Sequence, residues 1–301
     1  MKDKRFYFIL IFSIVICLFC GGFCLGFAEE EPSELIPDWL KRTNFGVEVE
    51  TDQKPRVYLE TVQPLYQDID SQNTVFIHPR YSLQSEESAY NLGLGYRKLS
   101  HDNSVLLGTN TYFDFEDDDQ HYRIGVGFEA FINQIELRTN TYIGLSPRRL
   151  IEETSATRVY EKAVDGIDGE IGLPLPYMNW IKVYGGGYWY NYEKFSNKEG
   201  WRLRTELTPF KYGIINLSVY DDNKGDPEVR VDGRVTIPIG PPYEKDRGKV
   251  WCMGFSEEAY LEKADHSDKV LKRVERQYSI EVERWSENKT TGVTVEIRRG
   301  D

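Results

Sequence analysis

Between Thr43 and Gly240 the chain repeats one pattern that few architectures accept: stretches of about ten residues alternating strictly between apolar and polar or small side chains. In 105–115, Val105, Leu107, Thr109, Thr111, Phe113 and Phe115 alternate with Leu106, Gly108, Asn110, Tyr112 and Asp114. In 122–130, Tyr122, Ile124, Val126, Phe128 and Ala130 alternate with Arg123, Gly125, Gly127 and Glu129. Segments 135–145 and 228–239 repeat the pattern, the latter setting Val229, Val231, Val235, Ile237 and Ile239 against Glu228, Arg230, Asp232, Arg234 and Thr236. A period of two marks a β-strand.

The second face decides what kind of sheet this is. A soluble sheet packs its apolar face inward and solvates the other, usually with Lys and Thr. Here the polar face carries Gly, Arg, Glu and Asn, several per strand. About ten residues is the length that crosses a bilayer at a steep tilt. The pattern therefore predicts an all-β fold, an antiparallel transmembrane β-barrel whose apolar face meets lipid and whose polar face lines a narrow lumen. The charges placed in that lumen are Arg97, Arg123, Glu129, Glu136, Arg138, Arg202, Arg204, Glu206, Arg230, Asp232 and Arg234. Both signs occur on the same strands, which favours a structural ladder of ion pairs over a conduction path.

Twelve strands are predicted, at 43–50, 56–65, 73–83, 88–98, 103–115, 120–131, 134–145, 165–175, 179–192, 199–208, 212–221 and 227–239. An even number is what single-chain bacterial barrels use. Alternation is loosest in the first three, where Pro55, Pro64 and Pro79 intrude and proline is poorly tolerated. Connections after even strands are mostly short, and those after odd strands are often longer and acidic, with 146–164 the longest. Short periplasmic turns opposite longer outer loops predict a periplasmic N-terminus.

The first residues, "MKDKRFYFILIFSIVICLFCGGFCLGFAEEEP", read as a basic n-region, an apolar run and a small-residue junction. Residues 1–28 are taken as a signal peptide cleaved between Ala28 and Glu29, and 29–42 as a periplasmic linker. Cys17, Cys20 and Cys24 fall in the leader, so Cys252 is the one mature thiol and no disulfide framework is expected. The four histidines, His78, His101, His121 and His266, lack ligand spacing, so neither a metal site nor a cofactor is expected. A net charge of −12 disfavours nucleic acid and anionic lipid as partners.

After Gly240 the character changes. Residues 241–301 form a tail with a helix expected over 256–274, where Val270, Leu271 and Val274 make a narrow apolar stripe, and with a hairpin at "YSIEVERW" and "TGVTVEIRR". The barrel lumen is one course open to this tail.

The blocks "NLGLGYRK", "LLGTNTYFDFEDDDQHYRIGVGFEAF", "ELRTNTYIGLS" and "AVDGIDGEIGLPLPYMNWIKVYGGGYWY", in that order, resemble the transmembrane barrel of inverse autotransporters, the intimin and invasin family. "VLKRVERQYSIEVE" at 270–283 is similar to the stretch that follows the barrel there. The resemblance implies a twelve-stranded barrel in the outer membrane of a Gram-negative bacterium, acting as translocator and anchor for a C-terminal adhesive passenger. About 60 residues follow the barrel here, fewer than the ~100 of an immunoglobulin-like sandwich, so little or no passenger is expected. The alternative is a small outer-membrane channel or porin. Expected partners are outer-membrane lipid, the barrel-assembly machinery, and a host or neighbouring-cell surface met by the outer loops, with the barrel a monomer or weak dimer.

Three further features have a chemical reading and a plainer one. The acidic run Glu116, Asp117, Asp118 and Asp119 offers oxygen ligands to a divalent cation but lacks the glycine-spaced pattern of a calcium loop, so a solvated loop tip is favoured. Trp180, Trp189, Tyr190, Tyr192 and Trp201 are expected in the aromatic girdle. His121, with Asp118 or Asp119 nearby, is the best candidate base, but no Ser stands in a convincing partner position, and no enzyme is expected.

Overall fold

The computed structural model describes residues 39–210, 213–237, 253–260 and 264–297. The expected leader 1–28 with its Ala28–Glu29 junction, most of the linker 29–42, and Cys252 lie outside the described residues.

In chain order the strands are β1 (Thr43–Glu50), β2 (Arg56–Thr61), β3 (Gln63–Gln67), β4 (Asn73–Gln84), β5 (Glu87–Leu99), β6 (Val105–Glu116), β7 (His121–Ile132), β8 (Ile135–Gly144), β9 (Arg149–Glu153), β10 (Thr157–Ala163), β11 (Asp165–Leu175), β12 (Met178–Asn191), β13 (Lys198–Phe210), β14 (Gly213–Asp222), β15 (Glu228–Ile237), β16 (Val282–Asn288) and β17 (Thr294–Glu296). The main sheet runs β2-β1-β15-β14-β13-β12-β11-β8-β7-β6-β5-β4-β3, antiparallel throughout, and closes because β2 also pairs with β4. β2 and β3 lie along the same neighbour, Arg56–Glu60 against Arg80–Gln84 and Gln63–Gln67 against Thr74–Ile77. They are one barrel strand interrupted at Val62, with a bulge between Pro64 and Tyr66 where proline has no N–H to give the ladder. The result is a closed barrel of twelve strands among the described residues, as the alternation predicts. Pro79 sits inside β4 opposite Leu92 without breaking it.

The two rims differ. At the one where β1 begins and β15 ends, called here the short-turn end, connections such as 133–134 and 176–177 are two residues long. At the opposite, long-loop end lie 117–120, 145–164, 192–197 and 223–227. Between the rims side chains alternate cleanly. Leu92, Leu94, Phe113, Val126, Leu137, Ile171 and Leu203 point outward and are exposed, while Asn91, Arg97, Asn110, Asp114 and Arg123 are buried. A band of aliphatic and aromatic side chains around the outside is costly in water and favourable in hydrocarbon, and closure leaves no backbone edge unpaired in lipid.

Glycines on the inner face make room chiefly for aromatic rings directly across the ladder. Gly93 faces Tyr112, Gly95 faces Phe76, and Gly172 faces Tyr184. A Cβ at Gly172 would lie 2.0 Å from the Tyr184 ring.

Two expectations fail outside the barrel wall. The long 146–164 segment is not a plain loop: β9 and β10 form a hairpin that joins β16 and β17 in a second sheet of order β17-β16-β10-β9. The expected tail hairpin forms within it, Trp285–Glu287 against Thr294–Glu296. The helix predicted over 256–274 does not form: the described residues of that stretch hold one 3-10 turn, at Ser267–Lys269. Geometry gives the reason. His266 is tied to the short-turn end and Glu281 to the long-loop end. The fifteen steps between them would span only about 22 Å as a helix, short of a bilayer core about 30 Å thick. A chain that leaves helical geometry after one 3-10 turn covers the distance and opens its backbone to the side chains lining the lumen.

Candidate functional site

The lumen is occupied by the chain's own tail. At the short-turn end the Ser256 N–H donates to the Tyr177 carbonyl (2.8 Å), the Tyr177 N–H to the Ala259 carbonyl (3.0 Å), and Trp180 Nε1 to the Gly254 carbonyl (3.1 Å). Nearby the His266 N–H donates to the Asn103 carbonyl (2.9 Å). Burial, and then the Lys269 ammonium beside it, hold the His266 imidazole down at about 4.

From there the wall binds both backbone and side chains of the tail. Arg97 Nη1 donates to the carbonyls of Lys269 (3.0 Å), Val270 (3.1 Å) and Lys272 (2.6 Å). Asn91 donates to the Tyr278 carbonyl, and the Gln277 N–H donates to Tyr142 Oη, at 3.0 and 2.9 Å. Ion pairs run the length of the passage: Lys269–Glu136 (2.7 Å), Arg273–Glu60 (3.1 Å), Glu275–Arg234 (2.9 Å), Arg276–Asp114 (2.7 Å) and Glu281–Lys198 (3.0 Å). The apolar stripe that suggested a helix is used differently. Val270 packs with Leu99, Leu106 and Phe131, and Val274 with Val62, Phe76, Tyr112 and Tyr278.

At the long-loop end the Ile280 N–H donates to Glu116 Oε1 (2.8 Å), and the Val164 N–H donates to the Glu281 carbonyl (3.1 Å). The Glu283 carboxylate, 0% exposed, accepts the N–H groups of Glu193, Lys194 and Phe195 at 3.0, 2.8 and 3.0 Å. β16 then continues antiparallel to β10 in continuous register from Ala163↔Val282 to Thr157↔Asn288. Outside the barrel Lys289 meets Glu153 at 2.7 Å and, with Arg158, holds that carboxyl below its ordinary range.

Of the eleven charges placed in the lumen from sequence, Arg97, Arg123, Glu129, Glu136, Arg138, Arg204, Glu206, Asp232 and Arg234 are buried, and Arg202 and Arg230 are half-buried. Their partners include residues not among the eleven. Glu170 gathers Arg138, Arg202 and Arg204 at 2.8, 2.9 and 2.6 Å, and Asp114 holds both Arg123 and the tail's Arg276. The parity that selected Arg138 also selects Asp114 and Glu170, so these two were legible. Glu60, Arg273 and Glu275 were not, because Glu60 lies on the irregular β2 and the other two lie on the tail. A hollow of about 60 Å³ remains beside the tail, room for a few waters.

The aromatic girdle needs correction at two positions. Trp189 and Trp201 are exposed on the outer face, but Tyr190 is buried against Tyr142 and Val164, and Tyr192 donates to Glu281 (2.9 Å). Strand parity explains it: with Trp189 outward, Tyr190 must turn inward. Trp180 is tied to the tail through Gly254. The acidic run is also divided. Glu116 serves the tail through Ile280, whereas Asp119 lies with His121 and Glu161, their ligand atoms within 4.8 Å of one another. A serine does stand beside His121: Ser146 Oγ is 2.9 Å from Nδ1. It is 3% exposed, so its oxygen offers no approach for a substrate.

An inverse autotransporter β-domain model matches residues 23–252, most of the chain. The chain belongs to the inverse autotransporter β-domain family. Over 127 residues it is 29% identical to an attaching and effacing protein homolog of Escherichia coli (strain K12), covering 42% of this chain and 43% of that one. It thus spans under half the length of that curated relative. A membrane protein solved in a study titled "Unveiling the Mechanism Behind the in-meso Crystallization of Membrane Proteins" shares the fold at a TM-score of 0.61 and 14% identity, over 81% of this chain and 99% of that one. The KdgM porin overlaps at a TM-score of 0.45 and 8% identity, over 65% and 98% of the two chains. As an inverse autotransporter β-domain with an outer-membrane barrel fold, the protein is an integral protein of the Gram-negative outer membrane.

Proposed function

We propose that this inverse autotransporter β-domain serves as a non-catalytic translocator and anchor, carrying its C-terminal segment from the periplasm to the cell surface and holding it there. One observation carries the reading: a single chain closes the barrel at the short-turn end with β15, contacts the lumen wall along 266–281, and joins the long-loop hairpin through β16. The short-turn end is periplasmic in this reading, because long loops face outward in such barrels. The barrel-assembly machinery inserts the β-domain, and the long-loop end with its second sheet meets a neighbouring or host surface. The open-channel alternative is weakened by the ion pairs that hold the tail to the lumen wall along its course.

The test is an epitope tag after Asp301 in intact cells, with a second tag in the 146–164 segment. Antibody access to both supports export. Access to the loop tag alone, together with steady ion conductance in planar bilayers, overturns export in favour of a channel.

A further inference from the structure

At the long-loop end one side-chain cluster touches the tail through Glu161, which faces Arg284 of β16. His121 opens β7, Asp119 lies in the turn before it, and Glu161 lies on β10 of the second sheet. His121 is completely buried, and its Nε2 has no hydrogen-bond partner among the described residues. Its other nitrogen, Nδ1, is held by Ser146 Oγ at 2.9 Å. When that contact takes the Nδ1 proton, the Nε2 lone pair points toward Glu161 Oε2, 3.4 Å away. Two ligands on one tetrahedral zinc, each about 2.0–2.1 Å from the metal, stand about 3.3–3.4 Å apart. A histidine whose second nitrogen is fixed by an outer partner is the usual arrangement of a metal ligand.

We propose that Asp119, His121 and Glu161 form a binding site for a divalent transition cation of the zinc class. An imidazole with two carboxylates suits zinc and its neighbours better than calcium or magnesium, which take oxygen ligands. Asp119 is half-buried on a turn, and its carboxylate closes from the 4.8 Å span of the cluster to ligand spacing. Arg284 Nη1 lies 3.5 Å from Glu161 Oε1 and orients the carboxylate, whose Oε2 faces His121. The similar buried pair His78 and Glu60 differs at this point. Arg80 and Arg273 already neutralise Glu60, and among the described residues no third ligand joins His78 and Glu60. The bound cation ties the barrel wall, through β7, to β10, the strand that receives the emerging tail. The site is thus a clip on the tail's exit.

The experiment uses the full chain folded in detergent, stripped with a chelator and titrated with Zn²⁺ and with Co²⁺ as a spectroscopic probe. One equivalent of Zn²⁺ per chain and the visible bands of low-symmetry Co²⁺ are expected, both lost in His121→Ala and Glu161→Gln and retained in His101→Ala. Ser146→Ala is expected to weaken affinity about 10–100-fold. Heat-modifiable migration on gels reports whether each variant has folded. If His121→Ala does not fold, Asp119→Asn on the half-buried turn decides, with at least a tenfold loss expected. Absence of stoichiometric binding by the native chain, or unchanged binding in the ligand variant that folds, overturns the site.

Discussion

The contact that most directly couples tail to wall is Asp114. Its carboxylate takes two bonds from Arg276 (2.7 and 2.9 Å), one from Arg123 (2.7 Å) and one from Asn91 (2.8 Å). The two ends of this cluster respond differently to truncation. Arg276→Met removes a bidentate charge-assisted pair, worth about 1.5–3 kcal/mol, but leaves Asp114 neutralised by Arg123. Asp114→Ala leaves two buried guanidinium groups facing one another, and breaking a buried pair this way costs about 3–5 kcal/mol. Since ~1.4 kcal/mol is a factor of ten, amide exchange at Gln277 and Ile280 should rise about 10–100-fold in Arg276→Met and about 100-fold or more in Asp114→Ala. Both amides donate to wall side chains, so they exchange when the tail lifts off. Leu217, on the far wall, serves as the control and should be unchanged. Changes below threefold in both variants, or a larger effect from Arg276→Met than from Asp114→Ala, would refute the assignment of Asp114 as the tail's main anchor.

Other consequences follow from packing and charge. Gly95→Ala places a Cβ 2.2 Å from the Phe76 ring and should reduce the folded, heat-modifiable fraction sharply, with a cost of about 1–3 kcal/mol or more, whereas Gly185→Ala meets nothing within 4 Å and should fold normally. Glu283→Ala removes the acceptor of three backbone N–H groups, so trypsin should cut after Lys194 at least tenfold faster than in the native chain. The His266 imidazole, depressed to about 4, binds its proton more weakly when the tail is docked than when released, so the released state gains protons first on acidification. Its contribution to docking is therefore full above about pH 6.5 and lost as pH falls toward 4, and exchange at Lys269, corrected for its intrinsic rate at each pH, should rise across that window. His266→Phe should remove most of the rise, and an unchanged profile in that variant would contradict the assignment.

The barrel was legible because lipid on one side and a polar lumen on the other impose a period of two on every strand, as in β6 and β7. Even there one strand breaks at Val62 into β2 and β3, with a bulge between Pro64 and Tyr66 beyond it, where the alternation is weak. The helix expected for the tail fails because Val270, Leu271 and Val274 stand at helical spacing while serving pockets in the wall from a 3-10 turn and the irregular chain after it. Nothing local distinguishes the two, since the deciding quantity is the distance from Asn103 to Val164. The second sheet was hidden for a related reason. "RLIEE" and "TRVYEKA" alternate poorly, and the partner of β10 lies more than a hundred residues on, in β16. His121 was noticed from its sequence neighbours, but Glu161 and Ser146 reach it only through the hairpin and the strand end.

The chain crosses the lumen and pairs with β10 at the long-loop end. The most direct measurement is oxidative cross-linking in intact cells of Val159→Cys with Ser286→Cys, in a chain whose Cys252 is Ser. These two residues are directly opposed across β10 and β16, within the ~4.5–5.5 Å Cα separation that a disulfide accepts. The account predicts a disulfide in the folded barrel that forms without denaturation, and none between Val159→Cys and a cysteine at Lys98 near the short-turn end. Failure of the first pair to cross-link, while each single cysteine still labels in a folded barrel, would contradict it.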